Sequence, residues 1–115
     1  MTIEQRVRAY LAAKNLSGIG ERVYMETPED ITQDYVIVER TGGSETDLIG
    51  SGTIAVQSYG KSLARTIEIN EAVKEAMRSM PETEPVYGCR LVSDYNFTNT
   101  RTRQHRYQAV FALNF

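Results

Sequence analysis

The chain is short of reactive and metal-binding side chains. Its 115 residues hold one cysteine and one histidine. A lone cysteine, Cys89, excludes an internal disulfide and fits a reducing compartment. One Cys and one His leave only carboxylates to complete a three-ligand metal site, and no carboxylates cluster at helical or CxxC spacing. Bulk charge is nearly absent too. Thirteen bases against fifteen acids give −2, too little to argue for nucleic acid or membrane binding by electrostatics. The first residues, MTIEQRVRAYLAAKN, carry charge throughout and have no apolar run, so they read neither as a signal peptide nor as a membrane span. Without secretion, the glycosylation-like triplets at Asn15 and Asn96 carry no meaning.

What is present suits one domain over residues 1–115, with 41% hydrophobic and 24% charged residues. Thr2 and Gln5 form a capping box, and Ile3, Val7, Tyr10 and Leu11 then share a helical face. Glu4 and Arg8 are spaced to pair. Gly18 and Gly20 are expected to stop this helix before a short strand near Arg22–Glu26 and a loop from Thr27 to Gln33. Tyr35 to Thr41 reads as a strand. Its apolar run Tyr35-Val36-Ile37-Val38 predicts cover on both faces, by a helix on one and by a partner on the other. Gly42-Gly43 is expected to open a long connection ending near Gly52, before a strand in which Ile54 and Val56 alternate with Thr53 and Gln57.

Ser62 to Met80 is the longest predicted helix, ended by Pro81 and Pro85. Ile69, Val73, Ala76, Met77 and Met80 make its apolar stripe. Leu63 and Ile67 fall off that stripe, so either the helix start is buried differently or these two touch another subunit. Val86 to Tyr95 and Gln104 to Phe115 are the last strands, with Cys89 and Leu91 sharing a face and Tyr95 and Tyr107 at core-like parity. The connection NFTNTRTR between them has no apolar anchor after Phe97 and is expected to be mobile in an isolated subunit. The order α-β-β-β-α-β-β predicts an α+β fold, a mostly antiparallel sheet of about five strands with two helices on one face.

No set of residues that could run a reaction emerges, so no catalytic, cofactor-binding or metal residue is assigned. AVQSYGKS, Ala55 to Ser62, loosely fits a phosphate-binding loop. It has one glycine and alternates like a strand up to Gly60, whereas such a loop needs several backbone N–H groups curled round phosphate. A Cys89–His105 nucleophilic pair requires strands to bring the two together, and no third, orienting group is evident. A small ligand-binding or enzymatic domain built on that pair is one alternative. A module for single-stranded nucleic acid, using the seven tyrosines and the C-terminal arginines, is another.

Charge is unevenly placed. Glu21 to Asp47 holds eight acids and two bases, while Asn96 to Phe115 holds three arginines and no acid. Such a split suits head-to-tail contact between identical subunits. The order of patterns YVIVERTGG (Tyr35–Gly43), TIAVQSYG (Thr53–Gly60), EAVKEAM (Glu71–Met77), GCRLVSDY (Gly88–Tyr95) and RYQAVFALNF (Arg106–Phe115) resembles the small tail-completion proteins of long-tailed bacteriophages. These head–tail joining proteins are also called tail terminators or minor capsid proteins. The resemblance implies a non-enzymatic ring of identical subunits, a hexamer in the usual case. That ring would sit at the head–tail junction of a virion made in the bacterial cytoplasm. Its implied partners are other copies of itself, the tail tube protein and the head connector, with genome DNA crossing the pore without sequence-specific binding and no membrane involved. Thr41, Gly42 and Gly43 match the family's turn, and Asn96 to Arg103 its variable hairpin. The candidate contact residues are therefore Thr41, Gly42, Gly43, Glu45, Asp47, Leu63, Ile67, Thr98, Asn99, Arg101 and Arg103.

Overall fold

The computed structural model describes residues 2–46 and 49–115. Helix α1 (Ile3–Ala13) starts from the expected capping box: the Gln5 N–H donates to Thr2 Oγ1 at 3.2 Å, and the Thr2 N–H to Gln5 Oε1 at 2.8 Å. Its buried face is Ile3, Val7, Tyr10 and Leu11. The helix ends at Ala13, ahead of both glycines. Asn15 takes a left-handed φ of 49°, and a 3-10 turn (Leu16–Gly18) follows. Arg8 donates to the Val23 carbonyl at 2.8 Å instead of pairing with Glu4.

Five strands follow: β1 (Val23–Tyr24), β2 (Tyr35–Thr46), β3 (Ile49–Gly60), β4 (Gly88–Asn96) and β5 (His105–Asn114). Helix α2 (Leu63–Thr83) joins β3 to β4, and the sheet order is β1-β2-β3-β5-β4. The architecture is α+β, as expected. The sheet is mixed, because β1 runs parallel to β2 while every other pairing is antiparallel.

Two further boundaries differ from expectation. Gly42-Gly43 does not open a loop. Gly42 pairs with Thr53 and Gly43 with Gly52, and the ladder continues to Thr46 opposite Ile49. A register shift at Thr41 absorbs the irregularity, and glycine opposite glycine still leaves both backbones free to pair. Pro81 lies inside α2 rather than ending it. It lacks only its own N–H, and Glu84 still donates to the Met80 carbonyl at 3.0 Å.

The core lies between the two helices and one face of the sheet. Val36, Val38, Ile54, Val56, Ala109, Phe111 and Leu113 meet the α2 stripe Ile69, Val73, Met77 and Met80. Tyr10 Oη ties the helices together through the Ala76 carbonyl at 2.6 Å. At the start of α2 the fold is tight: a Cβ on Gly60 would stand 2.8 Å from the Thr66 backbone nitrogen and 3.1 Å from its Cα. Glycine at 60 thus serves close packing of strand on helix.

Candidate interaction surfaces

Among the described residues, no helix packs on the opposite face of the sheet. Register places Tyr24, Ile37, Gln57, Gln108 and Tyr95 in one row across all five strands, with Tyr35, Tyr59 and Arg106 in the next. These side chains cover themselves. Tyr35 stacks on Tyr59 at 4.5 Å between ring centres, and with Ile37 they are almost fully buried. Gln57 Nε2 donates to Gln108 Oε1 at 2.8 Å, and Gln108 Nε2 to Tyr95 Oη at 2.5 Å. Arg106 Nη1 reaches Tyr59 Oη at 3.3 Å, and its guanidinium lies 4.0 Å above the Phe97 ring. Burial raises the Tyr35 phenol above its ordinary range. The double-sided cover expected of Tyr35–Val38 is therefore supplied on this side by the chain's own tyrosines.

The two sheet edges differ. Strand β4 forms one edge over nine residues. Nine large hydrophobic side chains are exposed among the described residues. Five of them, Tyr87, Leu91, Val92, Tyr95 and Phe97, lie on β4 or directly beside it. Leu63 and Ile67 are also exposed. They share the flank of α2 that faces β4, a flank identified by Asn70 and Lys74, which both donate to Asp94 at 2.7 Å. The hydrogen bond to Asp94 is also the main cause that raises the Lys74 pKa. The alternative of differently buried Leu63 and Ile67 does not hold. The other edge is the two-residue β1, flanked by an open groove of about 620 Å³. This groove is lined in part by Arg8, Arg22, Glu26, Glu29 and Asp30. The remaining two exposed hydrophobics, Met25 and Ile31, lie in the segment that leaves β1 and returns to β2.

Tyr95 corrects the sequence reading. Counting by twos from Cys89 and Leu91 places Tyr95 on the helix side. A register shift between Leu91 and Ser93 inserts one residue, so Asp94 faces α2 and Tyr95 the open side. Tyr107, opposite Ser58, keeps the expected parity.

The candidate contact residues fall in three places. Thr41, Gly42, Gly43 and Glu45 lie along the β2–β3 hairpin; Asp47, and the side chain of Glu45, lie outside the described residues. Leu63 and Ile67 are on α2. Thr98, Asn99, Arg101 and Arg103 form the β4–β5 hairpin tip, at the opposite end of the sheet from the β2–β3 tip, since Gly60 pairs with His105 and Ser51 with Asn114. The connection expected to be mobile carries bonds of its own. Asn99 N–H donates to the Gln104 carbonyl at 3.0 Å, and Asn99 Oδ1 accepts from Arg101 N–H at 3.1 Å.

Neither chemical alternative gains from the geometry. Cys89 pairs with Leu113 and His105 with Gly60, eight positions apart on β5, which at strand rise is roughly 27 Å. The two cannot form a nucleophilic pair, and burial pushes the Cys89 thiol up to about 11. The phosphate-loop match also fails. Residues 55–60 are strand, the Lys61 N–H donates to Asp34 Oδ1 at 3.0 Å, and Ser62 caps α2 through the Arg65 N–H. A stacking platform for single strands needs free ring faces, and here Tyr35, Tyr59 and Phe97 already face one another or Arg106. No helix among the described residues is long and apolar enough to cross a membrane.

No protein-family model matches this chain, and no curated protein does. Among solved structures, its fold is similar to that of a chain in the virion of a native gene transfer agent particle. The TM-score is 0.64 at 16% sequence identity, covering 96% of this chain and 87% of the other.

Proposed function

We propose that this chain is a non-enzymatic structural protein of a tailed phage, a prophage or a phage-like particle. Its copies form a ring, a hexamer when assembled, that completes the tail and joins it to the head connector. The observation that carries this reading is the fold shared with a virion component over nearly the whole chain. Two features of the molecule support it. The sheet has two unlike edges, as a subunit needs when it meets different neighbours on its two sides. Its two long hairpins point to opposite ends of a body 44 Å long, so one subunit can offer separate contacts to a tail tube and to a connector. DNA would pass the pore without base recognition.

The test is genetic. Deleting the coding sequence from its phage or prophage is expected to leave filled heads and finished tails unjoined in electron micrographs of the lysate, with infectious or transducing yield restored by the gene in trans. Joined particles at normal yield from the deletion strain would overturn the reading.

A further inference from the structure

Two opposite sides of this molecule carry matching defects. The β4 side exposes an edge strand with apolar residues at Leu91 and Val92, extended by Leu63 and Ile67 on the adjoining flank of α2. Edge strands of monomeric proteins are ordinarily blunted by charge, by proline, by brevity or by a bulge, and β4 has one bulge, between Leu91 and Ser93. Strand β4 is long and has no proline. Of its two charged residues, Asp94 is held by Asn70 and Lys74, which leaves Arg90. The hairpin that continues β4 adds Arg101 and Arg103, both exposed. The opposite, β1 side exposes Met25 and Ile31 beside a groove whose exposed charges include Glu26, Glu29 and Asp30. The sheet order puts these sides four strand spacings apart, about 19 Å, on opposite flanks.

We infer that the β4 side of one copy docks on the β1 side of the next copy, with Arg101 and Arg103 set against Glu26, Glu29 and Asp30. The occupant of the β4 edge is thus a second copy of this chain. Charge decides the pairing. Two β4 sides brought together by a two-fold axis would oppose arginines to arginines, and two β1 sides would oppose acids to acids, whereas β4 on β1 opposes unlike charges. A contact between two different surfaces repeats from copy to copy and closes into a ring when the rotation allows. Backbone pairing along β4 adds directional bonds to the apolar contact. The inference rests on the reading of this chain as a ring subunit and assigns the surfaces that build the ring.

Two exposed substitutions test it, Val92→Glu on the β4 side and Ile31→Glu on the β1 side, read by analytical ultracentrifugation over a wide range of chain concentration. Thermal unfolding followed by circular dichroism checks that both variants keep the fold. The wild-type chain is expected to associate beyond a dimer. Each variant alone is expected to lose association at least about tenfold, the cost of placing one unpaired charge in a small apolar contact. An equimolar mixture of the two is expected to give a one-to-one dimer and nothing larger, because it retains a single intact pair of surfaces. Association of Ile31→Glu at wild-type strength overturns the assignment, as does a mixture that stays monomeric or a wild-type chain that is monomeric throughout. Such a failure, with heads and tails still unjoined in the deletion strain, removes these surfaces and leaves the virion role standing. Mixed dimers as expected, with normal particle yield in the deletion strain, remove the virion role and leave the surfaces.

Discussion

The two faces of the central sheet solve the same problem in different ways. On one side Val36, Val38, Ile54 and Val56 vanish under two helices, and packing alone holds them. On the other, Tyr35 and Tyr59 are nearly as well buried with no second layer above them. They reach that state by stacking on each other and by a lattice of side-chain hydrogen bonds through Gln57, Gln104, Gln108 and Arg106. Burial therefore need not mean a covering element. A sheet face can be finished by its own long polar and aromatic side chains, which leaves it flat, wettable and available to line a space. The aliphatic side cannot be left that way, since its residues have no polar ends to offer water.

Adjacent residues on β3 expose the contrast directly. Val56→Asp, on the covered side, is expected to unfold the chain, because it buries a carboxylate without a partner at a cost above about 4 kcal/mol. Far-ultraviolet circular dichroism of the purified variant would show it, and a native spectrum would mean that the helices on this side are more loosely packed than the structure indicates. A smaller loss, about 1–3 kcal/mol, is expected for Gly60→Ala, where the new methyl meets the Thr66 backbone and α2 must shift away from the sheet. The midpoint of urea unfolding measures it. Gln57→Leu, on the open side, removes the hydrogen bonds that Gln57 makes with Gln108, Tyr59 and Glu39 while keeping the side-chain bulk, so a loss of about 1–2 kcal/mol is expected in the same titration. If it equals the Val56→Asp loss, the amide lattice carries far more than proposed. Smallest in stability is Ile67→Asp, expected to stay within about 0.5 kcal/mol because the side chain is exposed. Its effect should appear in light scattering, as a smaller oligomer. An unchanged size would mean that α2 takes no part in subunit contact.

Local signals read directly from the sequence survived folding almost intact. The capping box at Thr2, the Ser62 start of α2 and the stripe Ile69-Val73-Met77-Met80 depend on neighbours within a few residues, so one chain segment suffices to specify them. The candidate surfaces were less legible. Leu63 and Ile67 stood out because they broke a helical period. Alternation along β4 points Tyr95 to the wrong face, because the inserted residue near Val92 appears only when β4 is set against β5. The exposed group Leu91, Val92 and Phe97 gave no warning of its own, since an apolar strand reads the same at a sheet edge as at its centre.

The amino-acid order by itself determined the two helices, the alternation of β3 and β5, the α+β class and the separation of acidic from basic stretches. These follow from periodicity and from charges that keep their place along the chain. Only the tertiary structure decided that β1 joins in parallel, that the β2 ladder runs on through Gly42 and Gly43, that β4 is an edge and that Cys89 and His105 stand far apart. Each of these is a choice of partner strand or of register. The hydrogen bonds that make the choice join residues distant in sequence, and no local pattern encodes them.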